Sequence, residues 1–266
     1  MVKKSATENF HIPDRPSYRA SHASGEHRGG GEFKVLSWNI KFSRKIEAAI
    51  HELENRPELG DAGIMLLQEM DEKGVESIAR ALKYNYVYYP ASVHHRTSRK
   101  FGNAVLARWP IVDSGKLPLP HPSPRTGQIR IAARVVVNID GRRLLVYSVH
   151  TETFALDFTS RQEQFQALAE DVQHEEYDQV LVGGDFNTIK KKDIKALDRC
   201  FAAAGLKRVS SGIGPTLKAG FMEFSLDHIF ARGLNAGGGG AWKGTSASDH
   251  YPVWQFLSFD TEEQES

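Results

Sequence analysis

Four apolar runs in this chain of 266 residues stop on groups that bind cations or phosphate. "KVLSWN" ends on Asn39, "IMLLQE" on Glu69, "LLVYSVH" on His150, and "QVLVGGDFN" on Asp185 and Asn187. Any one of these stops reads as a strand giving way to a turn, since Gly, Asp and Asn are common turn formers. Together they constrain the fold, because polar residues at the carboxyl ends of several strands in an α/β framework converge on one mouth, where such folds place ligands. Two further segments join them: "SLDHIF" sets Asp227 inside an apolar run, and "SDHYPVW" sets Asp249 and His250 just before another.

Strand patterns rich in β-branched and aromatic residues cover "FKVLSWNI", "AGIMLLQEM", "NYVYYPA", "GNAVLARWPI", "IRIAARVVVNI", "RRLLVYSVHT", "QVLVGGDF", "SLDHIFARG" and "YPVWQFLSF". Helical patterns cover 43–55, 73–83, 158–175 and 191–204; in the third, Phe165, Leu168, Ala169 and Val172 share one face. "NIDGRRLL" carries a hairpin turn at Asp140-Gly141, and "AGGGGAWKG" reads as a flexible loop. About nine strands exceed what one open sheet holds comfortably. The expected fold class is therefore α/β, with two packed mixed β-sheets flanked by helices in a four-layer sandwich.

Residues 1–32, rich in Ser, His, Arg, Gly and Pro, bury too little to offset their ordering and read as a disordered tail; residues 33–259 read as one domain and 260–266 as an acidic tail. With 34 basic and 33 acidic residues, the chain lacks the broad positive surface that holds nucleic acid by charge alone, so any polyanion must be gripped locally. The single Cys200 excludes an intramolecular disulfide and a thiolate metal cluster. No apolar run approaches the roughly 20 residues that span a bilayer and no signal-peptide core is evident, so a cytoplasmic protein without membrane insertion or an obligate protein partner is expected.

The candidate donors are oxygens without thiolates, which favours a hard cation such as Mg2+, with Mn2+ a possible substitute. Two histidines beside them can stabilise negative charge or move a proton near neutral pH. Asp185 and Asn187, two residues apart, could hold one attacking water between them. These are the parts of metal-assisted phosphate ester hydrolysis.

"SWNI", "LLQEMD", "GNAVLARWPI", "SVHTE", "GGDFN", "LDHIF" and "SDHYPV" occur in the order and approximate spacing of the endonuclease/exonuclease/phosphatase superfamily, which the chain resembles over residues 34–257. The resemblance implies that Asn39, Glu69 and Asp249 serve a metal, with Glu69 the direct ligand. It implies that His150 contacts phosphate, Asp185 orients or deprotonates water, Asn187 steadies phosphate and nucleophile, and Asp227 pairs with His250. Asn103 either reaches the site or bends its strand beside Gly102. The loop with His94, His95, Arg96, Arg99 and Lys100 reads first as a solvated loop, and is otherwise the best candidate for a local grip on a phosphate substrate; Arg130 carries the same ambiguity. The "WCDR" signature of the inositol polyphosphate phosphatase branch is absent. "HTETFALDFTSRQEQF" loosely resembles the tyrosyl-DNA phosphodiesterase and sphingomyelinase-like branches. A nuclease or DNA-end phosphodiesterase is thus expected first, and a sphingomyelinase-like or small-molecule phosphodiesterase or phosphatase second. A catalytically inactive binding scaffold predicts loss of the key residues, which are all present.

Overall fold

Strands that are apolar on both faces need cover on both faces, and that requirement sets the layer order here. The computed structural model describes residues 7–24 and 31–260. One sheet runs in the spatial order β1 (Tyr18–Ser21), β4 (Asn85–Val93), β5 (Lys100–Ala107), β3 (Ile64–Met70), β2 (Glu32–Asn39), β15 (Val253–Phe259), β14 (Leu234–Ala241). The second runs β10 (Lys207–Arg208), β13 (Asp227–Arg232), β9 (Val180–Asp185), β8 (Arg142–His150), β7 (Ile131–Ile139), β6 (Ile111–Pro118). A small hairpin, β11 (Leu217–Ala219) with β12 (Met222–Phe224), stands apart from both. The helices are α1 (Ile46–Asn55), α2 (Glu72–Leu82), α3 (Phe158–His174) and α4 (Lys191–Ala203).

Alternation along each strand sorts its side chains into two cores. Val35, Ile64, Leu66 and Val105 point inward and meet Val135, Val146, Leu181 and Ile229 of the second sheet. Their outward neighbours Leu36, Trp38, Met65 and Leu67 pack under Leu53 of α1 and Val75 and Ile78 of α2. On the far side, Val136, Leu145, Val182 and Phe230 pack under Phe165 and Leu168 of α3 and Leu197 and Phe201 of α4. The result is the expected sandwich of helices, sheet, sheet and helices. The Asp140-Gly141 turn is also present, with both residues at positive φ (50° and 89°) as a two-residue hairpin of the primed type needs.

Three expectations are corrected. "AGGGGAWKG" is not a free loop: its glycines continue β14, which pairs antiparallel with β15. A β-carbon at Gly240 would stand 2.8 Å from the Trp254 ring, so the missing side chain lets the indole lie across the edge strand. The expected 1–32 tail is ordered over 7–24, where β1 pairs with β4 and the Tyr18 ring packs 5.9 Å from Tyr88. Backbone pairing supplies what the composition of that segment lacks. Residues 1–6, 25–30 and 261–266 lie outside the described residues, so the acidic tail is described only at Asp260. Finally, the helix expected from residue 43 begins at Ile46, because Phe42 and Ser43 adopt left-handed φ values of 57° and 50° in a tight turn at Lys41–Ser43.

Asn103 on β5 faces the other sheet. Its Nδ2 donates to the carbonyls of Ile131 (2.9 Å) and Ser148 (3.0 Å), riveting β5 to β7 and β8 beneath the mouth. That side-chain nitrogen is committed to the scaffold rather than to a substrate. Asn103→Ala is expected to cost about 1–3 kcal/mol, since it strips donors from two buried carbonyls. Urea unfolding reads this directly, and an unchanged midpoint would refute the rivet.

Candidate active site

The two glycines before Asp185 have a packing cause. A β-carbon on Gly183 would lie 2.6 Å from Leu66 Cδ1 of the opposite sheet, and one on Gly184 would lie 1.9 Å from the Val149 carbonyl oxygen. Glycine therefore lets β9 close onto β8 and onto the facing sheet just where the chain delivers its carboxylate. Register then sets the neighbours: in the ladders Asp185 stands beside His150 in parallel β8 and opposite Asp227 in antiparallel β13. Asn39 pairs with Gln68, one residue before Glu69.

Asp185 is the hub of this mouth. Its Oδ2 accepts a 3.0 Å hydrogen bond from Asn39 Nδ2 and lies 3.6 Å from His150 Nε2 and 3.7 Å from His250 Nε2. Its Oδ1 accepts from the Asn187 backbone N–H at 2.9 Å. Burial raises its pKa to about 7, against the opposing pull of the His250 charge. Asn187 sits at φ 49° and donates from Nδ2 to the Thr151 carbonyl at 3.0 Å. Glu69 sits at φ 58° where the β3–β5 register shifts. Left-handed backbone at a non-glycine residue costs on the order of 1–3 kcal/mol and persists only where surrounding structure enforces it.

Behind the hub, His250 Nδ1 donates to Asp227 Oδ2 at 2.9 Å, and Thr216 Oγ1 donates to the same oxygen at 2.6 Å. Burial pulls the His250 pKa down, but the charges of Asp227 and Asp185 outweigh it and push it up to about 10. The ring is thus an imidazolium at neutral pH. His150 behaves oppositely: burial, then the charges of Arg130 and His250, hold it well below its ordinary value. With Arg130 Nη1 3.3 Å from its Nδ1, this neutral imidazole carries its proton on Nε2, toward Asp185.

Of the residues expected at the site, Asn39, Glu69, His150, Asp185, Asn187, Asp227 and His250 come together, and Arg130 stands behind His150, held by Glu152 at 2.9 Å. Asp249 is at the rim, where Lys41 Nζ reaches its Oδ2 at 2.6 Å. Arg99 and Lys100 are tied elsewhere: Arg99 Nη1 to Asp71 at 2.5 Å, Lys100 Nζ to Glu72 at 2.7 Å and to the Tyr18 hydroxyl. Sequence reasoning passed over Thr216 and Lys41, and met Glu152 only as the acid of the loosely matching "HTETFALDFTSRQEQF", without a role at the site. Thr216, in "GPTL", gives no local signal.

The donor set fits a hard dication. Glu69, Asn39 and Asp249 all offer oxygen, and Glu69 keeps a raised pKa because burial outweighs the nearby charges of Arg130 and His250. A tighter group, Asp185, Asp227 and His250, has ligand atoms within 4.8 Å of one another, but its imidazole Nδ1 is spent on Asp227.

The sequence signature described as the Endonuclease/Exonuclease/phosphatase family matches residues 36–250. Among curated proteins, the UPF0294 protein YE0917 of Yersinia enterocolitica is 25% identical over 233 residues, 83% of this chain and 81% of that protein. Among solved structures, an endonuclease/exonuclease/phosphatase from Bacteroides vulgatus is similar with TM-score 0.70 at 14% identity, over 86% of this chain and 99% of that one. A humanized D. rerio TDP2 is similar with TM-score 0.65 at 15% identity, over 85% and 98% of the two chains.

The His250 charge depends on Asp227, and pH tests that dependence. A pKa raised from the ordinary 6.5 to about 10 contributes stability that is complete below 6.5 and is lost as pH rises through about 10. In Asp227→Asn the imidazole pKa falls, so the alkaline limb of turnover against pH moves to lower values, and the stability gap to wild type closes above about pH 10. His250→Ala is expected to lose about 2.7–4 kcal/mol of transition-state stabilisation, roughly a hundred- to thousand-fold in turnover. Superimposable pH profiles for wild type and Asp227→Asn would show that the pair has no part in the chemistry.

Proposed function

Because the chain belongs to the endonuclease/exonuclease/phosphatase family, we propose that it is a metal-dependent phosphodiester hydrolase that uses an activated water, acting as a nuclease or DNA-end phosphodiesterase. One observation carries this reading. A carboxylate of raised pKa, Asp185, lies within 3.7 Å of the Nε2 atoms of one neutral and one cationic imidazole, over a strand-end amide and a second buried acid. A base, a proton-bearing neutral donor and a fixed positive charge meeting at one mouth suit attack on a phosphorus centre.

In the proposed sequence of events, Asp185 takes the proton from a water that Asn187 helps to position. The attack forms a bond from the water oxygen to phosphorus and loads charge onto the phosphoryl oxygens; the opposite bond, from phosphorus to the ester oxygen, breaks, and that oxygen leaves as an alcohol after taking a proton from solvent. His250, held cationic by Asp227, stabilises that charge with a bond that needs no reorganisation during the reaction. His150 donates from Nε2 to a phosphoryl oxygen, with Arg130 and Glu152 holding the ring. Glu69, with Asn39 and Asp249, would hold the divalent cation, which when bound supplies positive charge to the phosphate. Mg2+ is the expected ion and Mn2+ a substitute, by the hardness of the donors.

Chelation should abolish hydrolysis and Mg2+ restore it; full turnover in chelator would end the metal reading. Glu69→Ala should weaken Mg2+ binding and cut turnover without loss of fold, since losing a carboxylate whose burial is unfavourable removes a desolvation cost along with its contacts. Removing an acid at a left-handed position relieves no backbone strain, so thermal melting near the wild-type temperature is the expected companion result. If Glu69→Ala unfolds, that residue is structural.

A further inference from the structure

Beside the mouth, the turn after β2 presents Phe42, whose ring is flanked by two guanidiniums: Arg44 at 5.3 Å and Arg96 at 5.7 Å from its centroid. Both arginines are exposed, and among the described residues neither forms an ion pair. Arg99, the third guanidinium here, is already spent: it grips Asp71 and donates from Nη2 to the Phe42 carbonyl at 2.6 Å, fixing the turn in its left-handed conformation. Rings connect this turn to the catalytic centre. Phe42 lies 5.9 Å from Phe101, which lies 5.8 Å from His150 and carries Arg130 at 5.2 Å over its face. His94, 4.6 Å from Phe42, senses the local field: burial first, then His95, Arg96, Arg130 and Arg44, lower its pKa to about 4.

We propose that Arg44 and Arg96, mounted on the Phe42 ring, clamp a second phosphate of a nucleic acid strand whose scissile phosphate sits at Asp185, and so select strands over small phosphate esters. This rests on the phosphodiesterase reading above. Two like charges beside one ring, neither paired with an acid, repel each other, and an anion within reach of both relieves that repulsion. Guanidinium forks match phosphate oxygens in pairs, and their stacking on an aromatic ring pre-orients them. A sphingomyelin headgroup fits poorly, because its phosphate is followed by a quaternary ammonium that both arginines would repel. A strand instead brings another phosphate. The near-neutral net charge of +1 makes such a local grip necessary.

The test uses the full chain. Binding of a short fluorescent single-stranded oligonucleotide is titrated against salt in chelator, and kcat/KM with Mg2+ is compared between the same strand and bis(4-nitrophenyl) phosphate. In Arg44→Gln/Arg96→Gln the slope of log affinity against log salt should become shallower by roughly 0.7 for each phosphate no longer neutralised. The strand's kcat/KM should fall about tenfold or more relative to that of the aryl diester, and Arg44→Lys/Arg96→Lys should recover much of the slope. An unchanged slope, or equal losses on both substrates, overturns the clamp. If wild type cleaves neither substrate while binding still depends on the two arginines, the hydrolase reading fails and the clamp stands.

Discussion

A buried hydrogen bond from the His250 imidazole to Asp227 is the interaction on which the mouth depends. Asp227 opens β13 directly opposite Asp185 in β9, so the sheet itself drives two carboxylates together. Unrelieved, two buried acids at neighbouring positions would repel and one would have to protonate. A single imidazolium within reach of both eases that conflict: its Nδ1 is bonded to Asp227 at 2.9 Å while its Nε2 stands 3.7 Å from Asp185. The difference between the two acids therefore follows from which ring nitrogen faces each of them rather than from residue type.

Neighbouring partners likewise separate the two histidines. His150 and His250 approach the same Asp185 oxygen at nearly equal distances, yet Arg130 backs one ring and Asp227 the other. A cation behind an imidazole keeps it neutral and a carboxylate behind it keeps it charged. One donor of each kind at one mouth comes from partners placed on different strands, and neither histidine could be assigned its charge from its own surroundings in the chain.

Much of this was legible in the sequence because it depends on strand ends. Asn39, Glu69, His150 and Asp185 each close an apolar run, and strands that are apolar throughout announce a sheet covered on both faces. Helix positions followed from periodicity to within a few residues. What was not legible depends on pairing between distant segments. The polar stretch at 7–24 is ordered by a backbone ladder to β4, to which composition is blind. The glycines of β14 look like a linker until Trp254 is seen lying against them. Arg99 and Lys100 read as free cations in a loop, and only the fold shows Asp71 and Glu72, at the start of α2, within reach of them.

The short strand β1 has a further consequence. It covers the outer edge of β4, whose other edge is occupied by β5. Without it, the backbone amides and carbonyls of Asn85–Tyr88 would form an open rim on a run of tyrosines and valine, the kind of edge to which a second chain can add a strand. A segment poor in apolar residues thus acts as a sheet guard, and a chain trimmed at residue 33 would keep every side chain of the mouth while gaining a sticky border. Solubility and self-association, rather than turnover, are where its loss would first be felt.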